Sequence, residues 1–79
     1  MVDVYVPRFD PSLETVTIVE WKKEVNDDIK KDEVIAILLG EKVQFEVKSP
    51  CDGKLIKLNF RKGEEAPVGS VLAVIDCKS

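Results

Sequence analysis

Apolar residues mark the chain at two spacings. Val43, Phe45 and Val47 alternate with Gln44 and Glu46, the period of a strand with one face in a core and one in water. Val34 to Leu39 instead forms an unbroken apolar run. Further short segments rich in Val and Ile lie at Val2 to Val6, Val16 to Trp21, Leu55 to Phe60 and Val71 to Ile75, separated by clusters of Asn, Asp, Gly, Pro and Lys. No window of about 11 residues carries a helical stripe, so the pattern predicts an all-β protein.

The second half of the chain repeats the first. With a shift of 37 positions, "NDDIKKDEVIAIL", Asn26 to Leu38, falls without a gap on "GEEAPVGSVLAVI", Gly63 to Ile75. Asn26 meets Gly63 and Asp32 meets Gly69. After glycine, Asn and Asp take a positive φ most readily, so the exchanges fall where turns require that conformation. Two such units, each with one apolar face, bury those faces only against each other. The expected architecture is a flattened β-sandwich or barrel of two similar halves about an approximate two-fold axis.

Continuing the alignment sets Gly40 on Cys77, near the end of the chain. The loop after Leu39 therefore occupies, in the first half, the place the termini occupy in the second. That loop reads as a tight hairpin turn, Gly40-Glu41-Lys42-Val43, with Glu41 and Lys42 central and Gly40 lending backbone freedom. Lys42 is expected to be exposed, at the end remote from Met1 and Ser79. Taken alone, a lysine at a hairpin tip is a solvated charge. Trp21, which closes a segment with Thr17 and Val19 on its own parity, is expected in or against the core.

Composition narrows the chemistry. The 79 residues make one domain, 1–79, 44% hydrophobic, and a chain of this size buries only roughly 60% of its unfolded surface. That leaves a thin core and argues against a self-contained enzyme. Histidine is absent, and Cys51 and Cys77 form no CxxC pair, so no zinc site and no Cys/His nucleophile is expected. The separation of Cys51 and Cys77 does not exclude a disulfide, but two cysteines without a secretory signal favour free thiols in a reducing compartment. The net charge of −3, with no basic block, argues against nucleic acid, and the run from Val34 to Leu39 is too short to span a bilayer.

In several stretches the chain resembles the biotinyl/lipoyl carrier-domain family. They are "VP" at Val6 and Pro7, "TIVEW" at Thr17 to Trp21, "VND" at Val25 to Asp27, "EVIAIL" at Glu33 to Leu38, "FEVKSPCDG" at Phe45 to Gly53, and "KGEEAPVGSVLAVI" at Lys62 to Ile75. Lipoyl domains of 2-oxo acid dehydrogenase acyltransferases carry "ETDKA" at an exposed turn, and those letters fall on Leu39, Gly40, Glu41, Lys42 and Val43. The resemblance implies a non-catalytic swinging-arm domain with lipoate in amide linkage to Lys42, and with Gly40, Glu41 and Val43 shaping the turn that a lipoate ligase or transferase reads. Its further partners would be the decarboxylase and flavin dehydrogenase components of such a complex. The isolated domain would be a monomer, in cytoplasm or mitochondrial matrix.

Two other readings stay open. Biotin carriers flank their lysine with Met, and here the only Met is Met1, which makes biotin the poorer fit. The altered turn "LGEKV", where Leu39 and Gly40 replace an acidic residue and Thr, suits an unmodified interaction or adaptor domain.

Overall fold

A computed structural model describes residues 1–8, 11–41 and 43–78. Eight strands follow in order: β1 (Val2–Tyr5), β2 (Thr15–Trp21), β3 (Asp28–Ile29), β4 (Val34–Leu39), β5 (Gln44–Lys48), β6 (Gly53–Leu58), β7 (Glu65–Pro67) and β8 (Val71–Cys77). They form two four-stranded antiparallel sheets, ordered β1-β8-β6-β3 and β5-β4-β2-β7. The molecule is elongated, 36 × 21 × 17 Å along its principal axes. The short strands β3 and β7 escape the sequence pattern because two or three residues show no alternation. Val6, Val43 and Phe60 lie just outside the strands expected to contain them.

The repeat is visible atom by atom. Among the described residues, positive φ occurs at Asn26 (79°), Asp32 (69°), Gly63 (88°) and Gly69 (89°), two pairs related by the shift. Asn26 donates its amide to the carbonyl of Leu55 at 2.6 Å, and Gly63 donates to Ile18 at 2.7 Å. Leu55 donates in turn to Asp27 at 3.0 Å, and Ile18 to Glu64 at 2.9 Å. Each half thus closes its turn on a strand of the other half.

Strand pairing follows the same rule. Against β4, β5 sets Phe45 beside Leu38 and Val47 beside Ala36, while β1 sets Val2 beside Ile75 and Val4 beside Ala73. β1 therefore takes against β8 the place that β5 takes against β4. The core is built from matched pairs: Ile18 with Leu55, Ile29 with Ala66, Ile35 with Leu72, and Leu38 with Ile75, all buried. Val6 and Ser49 are also equivalent, and the hydroxyl of buried Ser49 is satisfied by donating to the Cys51 carbonyl at 2.6 Å.

Two expectations are corrected. Thr17 and Val19 do not share a face with Trp21; Val16 and Ile18 point into the core. The register shifts between Ile18, opposite Leu38, and Glu20, opposite Ile37, so Val19 is an extra residue. This bulge reverses the alternation and places Trp21 opposite buried Ala36, packed against the core. A matching irregularity lies between Leu55 and Lys57 in β6. The cysteines, expected as free thiols, form a disulfide with a Cα–Cα distance of 5.8 Å. Their separation of 26 in sequence conceals this; Gly53 pairs with Cys77 across β6 and β8, which brings the corner at Cys51 onto the end of β8.

Candidate functional site

β4 and β5 form the hairpin on which the sequence places the attachment turn. Its last ladder pair is Leu39 with Gln44. Beyond it the Gly40 amide donates to the carbonyl of Val43 at 2.7 Å, closing the backbone over the intervening positions. Lys42 itself, the expected attachment residue, lies outside the described residues, as do Phe9, Asp10 and Ser79. Of the residues expected to shape the turn, Glu41 and Val43 are exposed and Gly40 is half-buried.

Gly40 serves the turn differently from the expectation. Its φ is not positive, and a Cβ at this position would find only ordinary contacts, the Val43 carbonyl oxygen at 3.4 Å and the two methyls of Leu13 at 3.6 Å. Leu13, the apolar residue of the stretch "PSLET", is the contributor that the sequence reading missed. Nothing in the loop before β2 set it apart, since Val6 and Phe9 are apolar there as well. Together Leu13, Glu14, Thr17, Leu39, Gly40 and Glu41 line an open groove of about 350 Å³ beside the turn. Leu39 and Val43 add exposed apolar surface on either side of the tip, at 43% and 55%.

Connectivity fixes where this hairpin end lies. Glu14, next to Leu13, accepts the amide of Val68, just before β8 begins. Val2 and Cys77 lie at the other end of the same sheet, seven residues of β8 away. The Gly40 end of the sandwich is therefore opposite the end holding Met1, Val2 and Cys77, the disposition expected from the repeat. Among the described residues, no group of three His, Cys, Asp or Glu side chains is disposed to hold a metal ion.

Comparisons with known proteins agree with this geometry. A family model described as biotin-requiring enzyme matches residues 2–75. The acetyltransferase component of the acetoin cleaving system of Bacillus subtilis is 32% identical over 74 residues, covering 94% of this chain and 19% of that protein. The mitochondrial succinyltransferase component of the 2-oxoglutarate dehydrogenase complex of Saccharomyces cerevisiae is 37% identical over 73 residues, 92% of this chain and 16% of that protein. The chain thus spans less than a fifth of these relatives. The solution structure of the lipoyl domain of the 2-oxoglutarate dehydrogenase complex from Azotobacter vinelandii superposes with a TM-score of 0.81 and 26% identity, over 96% of each chain.

Proposed function

The chain belongs to the biotinyl/lipoyl attachment family, and from that premise we propose that it is a lipoyl carrier domain, with Lys42 as the residue that bears the cofactor. The observation that carries this reading is the closed β4–β5 turn, Gly40 amide to Val43 carbonyl, at the tip of a lipoyl-type sandwich. Lipoate, once in amide linkage, supplies a dithiolane that accepts an acyl group and electrons. The protein's part is placement. The β4–β5 hairpin ends in the closed turn, Leu13 stands against its base at Gly40, and exposed Glu41 and Val43, the neighbours of the lysine in sequence, are the side chains a modifying enzyme would read.

The relatives that match are parts of acyltransferase subunits, so the domain's partners are taken to be the decarboxylase and flavin dehydrogenase components of a 2-oxo acid dehydrogenase complex. Tethering makes each encounter local, with effective concentrations commonly in the mM range. The place of work would be the cytoplasm, or the matrix of a mitochondrion.

The test is direct. The chain is incubated with a lipoate ligase, lipoate and ATP, and in parallel with a biotin ligase, biotin and ATP, and intact mass is measured. One lipoyl increment is expected, absent from Lys42→Arg, because Arg keeps the charge but offers no amine for acylation. An increment that survives in Lys42→Arg overturns the site. Biotin uptake without lipoate uptake makes the chain a biotin carrier, and uptake of neither makes it an adaptor domain.

A further inference from the structure

A second chemically reactive place lies at the end of the sandwich opposite the turn. Cys51 stands in the corner between β5 and β6, Cys77 ends β8, and both are half-buried. Gly53 draws the two strands together there: a Cβ on it would come within 2.2 Å of the Asp76 carbonyl oxygen. Asp52 accepts the Lys78 amide on its carbonyl at 2.7 Å and the Lys31 amide on its carboxylate at 2.6 Å. The corner thus gathers the β3–β4 turn and the end of β8 without help from the sulfurs.

The repeat supplies an internal control. Counting back 37 positions, Cys51 falls on Glu14 and Cys77 on Gly40. At that end the same strand geometry stands with no covalent link: Thr17 pairs with Leu39 as Lys54 pairs with Asp76. The fold does not require a bond at this position, so the bond is an addition whose state is free to change.

We propose that Cys51 and Cys77 form a thiol-responsive staple, opened by dithiols and closed by small disulfides, that sets how firmly the end of β8 is held. A thiolate of the dithiol attacks one sulfur of the pair, the S–S bond breaks, and the other cysteine leaves as thiolate. The second thiolate of the dithiol then attacks its own sulfur in the mixed disulfide and releases the remaining cysteine. The dithiol ends as a cyclic disulfide, two electrons pass to the pair, and each cysteine takes up a proton. Closure is the reverse, with a small disulfide as oxidant. The dihydrolipoyl group is a dithiol of this class, so carriers working beside one another would bring the reductant with them.

The experiment uses the full chain, free of lipoate and purified without reductant, with dihydrolipoamide as the probe. Thiols are counted in denaturant, the thermal transition is recorded, and amide hydrogen exchange is followed at Lys31 and Lys78. Expected are no free thiols before treatment and two per chain after it. The transition should fall by about 10 °C, with exchange at Lys78 accelerating more than exchange in β4. Oxidised glutathione should restore the starting state. Cys77→Ser, untreated, should melt with the reduced chain and be indifferent to dihydrolipoamide. Two free thiols in the untreated chain, resistance of the bond to dihydrolipoamide, or a transition unmoved by its opening would each overturn the proposal.

Discussion

Trp21 donates its indole N–H to the carbonyl of Phe60 at 2.9 Å. The bond joins the end of β2 in one sheet to the segment that follows β6 in the other, 39 residues apart. Packing and hydrogen bonding at this ring are separable by substitution. Trp21→Phe should cost about 1 kcal/mol, the worth of a half-buried hydrogen bond, and Trp21→Ala about 3 kcal/mol, the low end for an aromatic truncation because the ring is not fully enclosed. Urea unfolding measures both; equal losses would mean that the indole N–H contributes nothing.

The bulge that turns Trp21 inward marks the limit of what alternation reveals. In "VTIVEW" apolar residues occupy both parities, so either face could have been the buried one, and the extra residue Val19 leaves no trace in composition. Where the side chain itself reports the backbone, the sequence was legible. Asn26, Asp32, Gly63 and Gly69 pointed to the repeat, and all four carry positive φ. At the site, the turn from Gly40 to Val43 was readable because strands of clear pattern flank it. Leu13 beneath Gly40 was not, since that contact joins two loops with no shared pattern.

Glycines should separate into three kinds on substitution. Gly53→Ala forces a Cβ into the Asp76 carbonyl and should cost about 3 kcal/mol or more. Gly63→Ala meets open space, so its cost is that of positive φ alone, about 1 kcal/mol. Gly40→Ala finds ordinary contact with Leu13 and should be nearly neutral. Thermal unfolding of the three variants checks the order; a Gly40→Ala loss as large as that of Gly53→Ala would show the hairpin base to be tighter than described.

Positive φ at a residue with a Cβ is strain that glycine relieves. Asn26→Gly and Asp32→Gly should each stabilise by about 0.5 kcal/mol, the relief exceeding the added freedom of the unfolded chain. A decrease in the urea midpoint for both would show that the Asn and Asp side chains hold their turns by bonds of their own.

Glu33 gives the stability a pH dependence of known sign. Its carboxylate accepts the Lys30 amide at 3.1 Å and faces the Lys23 ammonium at 3.1 Å, and these, the amide first, hold it below the ordinary value of 4.5. A carboxyl held low when folded contributes stability above its unfolded value, lost as pH falls through the folded one. Wild type should therefore exceed Glu33→Gln in stability near neutral pH, with the gap closing in acid. The gap should be small and shrink in salt, because the carboxylate is partly exposed. The second half lacks this sensitivity at the matching position: Pro67 has no amide to donate, and Ser70 instead gives its hydroxyl to the Pro67 carbonyl at 2.5 Å. A gap that persists unchanged in acid would refute the assignment.

Because Asn26 closes on Leu55 and Gly63 on Ile18, each half lacks the strand that its own positive-φ turn bonds to. A fragment ending before β6 would leave Asn26 without its carbonyl acceptor, and the apolar face of β4 without its opposite sheet. Folding must therefore bring distant segments together before these two turns are held against their strands. All-β domains dominated by such pairings fold in roughly milliseconds to seconds, slower than helical bundles of equal length. A chain emerging during synthesis would gain no stable structure until Ile75 had been added, and would then acquire both sheets in one cooperative step.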